Sequence, residues 1–199
     1  MNLAINSTRN KKNLLKLILS AALISQITAC VPIIVGGAAA TGAMAADRRT
    51  SGFYVEDQGI ELKAIKKMET NLGENAHVNV TSYNRNVLLT GEVPVAESKT
   101  KAESLVKEIA NVRSITNEIT VGPKSTIGSR SNDSFITSKI KARFVKENKF
   151  PANYVKVVTE NGVVYLLGIV TNQEAADAVE ITRSTEGVNK VVKVFEYVQ

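Results

Sequence analysis

Val87-Leu-Leu-Thr-Gly91 returns about 76 residues later as Val164-Tyr-Leu-Leu-Gly168. Val78-Asn-Val80 pairs in the same way with Val155-Lys-Val157. After a one-residue length difference, Ala102, Leu105, Val112, Ile115 and Ile119 pair with Ala178, Ile181, Val188, Val191 and Phe195. A period this long exceeds a solenoid unit and fits two small domains in tandem. Each copy then has only about 65 to 70 residues, near the lower limit for independent stability, so packing of one copy on the other is expected.

The pattern within a copy is helix, strand, strand, helix, strand. In the second copy Asp133 is placed to cap a helix over 134–149 whose core face is Ile136, Ile140 and Phe144. Val155, Val157 and Thr159 alternate toward Glu160-Asn161-Gly162, and Asn-Gly is a strong hairpin signal because both residues tolerate positive φ. Val163 to Val170 returns as a strand, Glu174 to Thr185 is helical, Gly187 stops it, and Val188 to Val198 is the last strand. The first copy repeats these elements over 59–72, 76–83, 87–93, 96–110 and 113–121. The fold class is therefore α+β, two αββαβ units, each a three-stranded mixed sheet with two helices on one face and a right-handed βαβ crossover. The domains are expected at 54–121 and 132–199, with Gly122 to Ser131 as a linker of Pro, Gly and small polar residues.

The N-terminus looks like an address rather than part of either unit. Arg9, Lys11, Lys12 and Lys16 precede an apolar run from Leu17 to Ile27, and Ile27-Thr-Ala-Cys30 follows. That order is similar to a bacterial lipobox, which implies removal of residues 1–29 as a signal peptide, acylation of Cys30 with diacylglycerol and palmitate-type chains, and a flexible tether over 30–53. At about 0.8 kcal/mol per buried CH₂, several chains hold a protein on a membrane durably. The alternative is a spanning helix, since Leu17 to Ala46 carries no charge, although Pro32, Gly36, Gly37 and Gly42 interrupt it. Val31, rather than Asp, follows the Cys, which by similarity to enterobacterial lipoprotein sorting implies the outer membrane over inner-membrane retention.

Composition removes several function classes. One Cys and one His leave no internal disulfide framework and none of the common Cys/His zinc sites. No motif pairs a nucleophile with a base, and His77 stands at the start of an exposed strand, so no catalytic residue, no metal and no cofactor are expected. The net charge of +6 falls to +2 once the four cations before Leu17 are set aside, which predicts no nucleic-acid partner. Arg48 and Arg49 either touch phosphates near the tether or solvate a linker.

The helix over 134–149 is the candidate site. Lys139, Lys141, Arg143, Lys146 and Lys149 against Glu147 give it +4, whereas the matching helix over 59–72 carries +1. Helical spacing sets Phe135, Lys139, Ala142 and Lys146 in one stripe with Arg143 beside it. An aromatic among cations suits a membrane surface. A solvated basic face with Phe135 folded into a domain interface is the other reading of the same residues.

The strings Asp47-Arg-Arg-Thr-Ser-Gly52, Val78-Asn-Val-Thr-Ser-Tyr83, Val87-Leu-Leu-Thr-Gly91, Ser131-Asn-Asp-Ser-Phe-Ile-Thr-Ser-Lys139 and Val155 through Gly168, behind a lipobox, make the chain resemble the dual BON-domain outer-membrane lipoproteins. The resemblance implies a non-enzymatic, lipid-anchored protein of the outer membrane, facing the periplasm, that supports envelope integrity. It implies binding of anionic phospholipids (phosphatidylglycerol, cardiolipin) by the first helix of the second BON domain through Phe135, Lys139, Lys141, Ala142, Arg143 and Lys146, with Phe135 where the enterobacterial protein has Trp. A periplasmic scaffold for envelope proteins or peptidoglycan is the alternative.

Overall fold

The computed structural model describes residues 48–198, so Cys30, the signal segment and most of the tether lie outside the described residues. The first unit runs α1 (Ser51–Leu72), β1 (His77–Tyr83), β2 (Asn86–Val93), α2 (Ala96–Lys107), β3 (Ser114–Asn117) and β4 (Thr120–Val121). The second runs α3 (Ile127–Glu147), a short 3-10 turn at Ala152–Tyr154, β5 (Val155–Glu160), β6 (Val163–Val170), α4 (Asn172–Arg183) and β7 (Lys190–Tyr197). In each sheet the first two strands form an antiparallel hairpin, and the last strand lies parallel to the second after a helical crossover. The αββαβ expectation stands in both copies.

Two differences from the expected boundaries have the same cause. α1 starts at Ser51, within the stretch read as tether, and α3 starts at Ile127, within the stretch read as linker. The true N-caps are Thr50 and Thr126, one period apart, whose hydroxyls accept from the backbone N–H of Phe53 and Ser129. Asp133 is therefore no cap. It is buried in the second turn of α3 and accepts from the backbone N–H of Asn161 and Gly162, both at 2.9 Å. The strand expected over 113–121 breaks into β3 and β4, both paired with β2. At the break the Asn117 side chain takes the Ile119 N–H and donates to the Lys99 carbonyl, which drops the Ile119 side chain into the core.

Every strand of each hairpin has two jobs. Val87, Leu89 and Val93 of β2 face α1 and α2, and Val164, Leu166 and Val170 of β6 face α3 and α4. The alternate residues Tyr83, Leu88, Tyr165 and Leu167 form a third apolar cluster between the two sheets. The layers are thus helices, sheet, sheet, helices, which explains why β2 and β6 read as near-continuous apolar runs. Gly91 and Gly168 stand at equivalent ends of these strands, where an added Cβ would lie 2.0 Å from the His77 carbonyl oxygen and 2.5 Å from that of Tyr154.

Polar contacts frame the third cluster. Lys156 reaches Glu61 at 2.9 Å, Arg113 reaches Glu196 at 2.8 Å, and Asn84 donates to the same Glu196 at 2.8 Å. Arg48 forks onto Glu174 and stacks on Tyr154, while Arg49 pairs with the buried Asp57 and stacks on Tyr83. Both arginines join the fold, where the sequence suggested a linker or phosphate contacts.

Candidate functional site

α3 is held by its inner face. Ile136, Ile140 and Phe144 recur at spacings of four and pack on β5, β6 and α4, and Phe144 meets Phe150 edge to face at 5.0 Å. Asn148 ends the helix in the left-handed region and returns its N–H to the Phe144 carbonyl. That anchoring fixes which residues turn outward.

The outer face carries Ile127 at 77% exposure, Phe135 at 61% and Val145 at 69%, with Ala142 exposed between the last two. Phe135 therefore does not fold into a domain interface. Lys139 Nζ sits 4.9 Å from the Phe135 ring centroid and 3.4 Å from Glu186. Lys141 and Lys146 are exposed and form no ion pair among the described residues. Lys141 and Val145 line a groove of about 540 Å³ together with Arg49, Tyr54 and Lys156 among others.

Arg143 departs from the expected stripe. Its Nη1 donates to the Ile181 carbonyl and to the hydroxyls of Ser184 and Thr185 at the end of α4, and its Nε and Nη2 hold Glu147. It is a strut between α3 and α4, leaving Phe135, Lys139, Lys141, Ala142 and Lys146 as the accessible set. Lys149, 3.7 Å from Asp177, belongs with the struts.

The BON domain model matches this chain twice, over residues 56–123 and 132–199. The chain is a tandem BON-domain protein. It is 37% identical over 170 residues to the outer membrane lipoprotein DolP of Haemophilus influenzae, covering 84% of this chain and 88% of that protein. It is 39% identical to a 21 kDa hemolysin of Actinobacillus pleuropneumoniae, covering 77% and 80%, and 28% identical to the osmotically-inducible protein Y of Escherichia coli, covering 70% and 72%. No helix among the described residues is long and apolar enough to cross a membrane.

The two BON domains differ on this outer face. Ile60 and Ile136 are equivalent core residues, which sets Gly59 opposite Phe135, Lys66 opposite Ala142 and Thr70 opposite Lys146. Pattern reasoning missed Ile127 and Val145 because they fall outside the stripe centred on Phe135. It also missed Val55 and the 68%-exposed Leu62 on α1, whose seven-residue spacing was visible in the sequence.

Proposed function

We propose that this protein is a non-catalytic outer-membrane lipoprotein, cleaved before and acylated at Cys30, that docks on anionic phospholipid through the outer face of α3. Kinship with the lipoprotein DolP supports the location, and the Ile27-Thr-Ala-Cys30 order supports the anchor. The observation that carries the lipid reading is Phe135, a largely exposed ring on a cationic helix at a position where the first domain has glycine.

Burying the Phe135 ring contributes roughly 1.5 to 3 kcal/mol, with Ile127 and Val145 on the same face to deepen the contact. Each of Lys139, Lys141 and Lys146 near an anionic surface adds about 1 kcal/mol. Such a contact is weak alone and effective at the high local concentration beneath an acyl anchor.

The test is flotation of a soluble form starting at Asp47 with vesicles of phosphatidylglycerol, of cardiolipin or of neutral lipid. The parent floats with the anionic vesicles, added salt weakens it, and Phe135→Glu abolishes it with an unchanged circular dichroism spectrum. Equal flotation of Phe135→Glu, or equal binding to neutral vesicles, removes α3 docking and leaves the scaffold for envelope proteins or peptidoglycan. Loss of flotation only in Leu62→Glu moves the docking face to α1.

A further inference from the structure

The register of β1 on β2 sets His77 opposite Glu92. Packing of the second sheet on the first then brings Glu160, the last residue of β5, to the same place. One ligand-type atom from each of these three side chains lies within 4.8 Å of the others. His77 Nδ1 is 3.2 Å from Glu92 Oε2, comparable to the roughly 3.0 to 3.4 Å between neighbouring ligand atoms around a metal with bonds of about 2.0 to 2.2 Å.

The charge arrangement asks for a cation. Glu92 and Glu160 are both buried, Glu160 to 7% exposure, and among the described residues neither pairs with a Lys or Arg. Glu160 Oε2 accepts from Asn79 Nδ2 at 2.8 Å and from Thr90 Oγ1 at 3.3 Å, whereas its Oε1 accepts from no donor among the described residues. Glu92 accepts from the Ser125 N–H at 3.0 Å and from the Asn161 amide. These amides orient both carboxylates in the way that outer partners orient metal ligands. An open groove of about 410 Å³, lined by His77, Asn79, Thr137, Thr159 and Glu160 among others, gives access. Arg130 also lines it.

The geometry points to a divalent transition-metal site made of His77, Glu92 and Glu160, which clamps the first BON domain to the second. An imidazole with two carboxylates suits Zn²⁺ or a similar ion better than Mg²⁺ or Ca²⁺, which prefer all-oxygen shells. Three protein ligands leave a fourth position to water from the groove. The exclusion of Cys/His zinc sites by composition does not reach this set, because carboxylates supply two of the three ligands.

The test is calorimetric titration of the full chain in detergent, stripped with a chelator, with ZnCl₂ and separately with MgCl₂, alongside thermal unfolding. One Zn²⁺ per chain is expected, with a raised melting temperature and no response to Mg²⁺. Glu160→Gln and His77→Gln each weaken Zn²⁺ binding by at least about tenfold, and metal-free Glu160→Gln melts no lower than the parent because a buried charge is gone. No stoichiometric Zn²⁺ binding, an equal response to Mg²⁺, or parental Zn²⁺ affinity in either variant overturns the site. If Glu160→Gln does not fold, the His77→Gln titration decides.

Discussion

Asp57 and Asp133 stand one repeat period apart, and each clamps the hairpin turn of its own domain. Asp57, buried in α1, accepts from the backbone N–H of Asn84 at 2.8 Å and of Arg85 at 2.7 Å, and from Ser82 Oγ at 2.6 Å. Asp133, buried in α3, takes the N–H groups of Asn161 and Gly162. All four turn residues have positive φ, so their N–H groups point away from the strand ladder and need another acceptor. One carboxylate thereby fixes each helix to its sheet.

Removing either carboxylate takes the acceptor from at least two buried or part-buried donors, at about 1 to 3 kcal/mol each. Asp133→Ala should cost about 2 to 5 kcal/mol in urea denaturation. Asp57→Ala should cost more, since it also removes the bond from the buried Ser82 Oγ and the ion pair with Arg49. A loss below about 1 kcal/mol in either variant would contradict this role.

The repeat made most of the fold legible. Periods of two and of 3.6 separated strands from helices, and Asn161-Gly162 announced its hairpin; the first hairpin uses Asn84-Arg85, a weaker signal, at the equivalent place. The packing of sheet on sheet was only implicit in the apolar runs of β2 and β6, because a run buried on both faces does not say what covers the second face. Thr50 and Thr126 give weak cap signals because they fall in stretches that read as tether and as Pro- and Gly-containing linker, and helical spacing sets Arg143 outward because it cannot register the carbonyls at the end of α4. His77 reads as the start of an exposed strand; Glu160, whose carboxylate comes within 4.8 Å of its ring, belongs to the other domain, a proximity that no local pattern encodes.

Ile140 is fully buried between α3 and its sheet, at the position where the first domain has the equally buried Ala64. Ile140→Ala should leave a cavity costing about 2 to 5 kcal/mol. The same urea experiment checks it, and a much smaller loss would mean that α3 settles onto the sheet, as α1 does around Ala64.

Acid should weaken the clasp between Arg48 and α4. Burial raises the Glu174 carboxyl, but the two Arg48 hydrogen bonds, at 2.7 and 2.8 Å, and the Thr171 N–H outweigh it and hold the group below its ordinary value. A carboxylate lowered in the native state contributes stability above its ordinary pKa, and that contribution is lost as pH falls through the native one. The parent should therefore exceed Glu174→Gln in melting temperature most near neutral pH, with the gap closing as pH falls below the ordinary carboxylate range. A gap that widens on acidification would show that Arg48 does not lower the group.

Arg143 and Lys146 lie less than one turn apart on α3, and their variants should separate structure from lipid contact. The Arg143 guanidinium donates to the Ile181 carbonyl and to the Ser184 and Thr185 hydroxyls, so Arg143→Ala should lose about 1 to 2 kcal/mol of stability with those three bonds, while the Ile181 carbonyl keeps the two hydroxyls as donors. Lys146 is exposed without an ion pair, so Lys146→Ala should stay within about 0.5 kcal/mol of the parent. On phosphatidylglycerol vesicles the order reverses. Losing a cation worth about 1 kcal/mol at the surface lowers the partitioning of Lys146→Ala roughly fivefold at low salt, and raising the salt erases the difference. Folded Arg143→Ala should partition within about twofold of the parent, because its charge is already held by Glu147 and by α4. Equal weakening by the two substitutions would mean that Arg143 leaves α4 to reach the headgroups, and the α3–α4 strut would then be a contact of the unbound protein only.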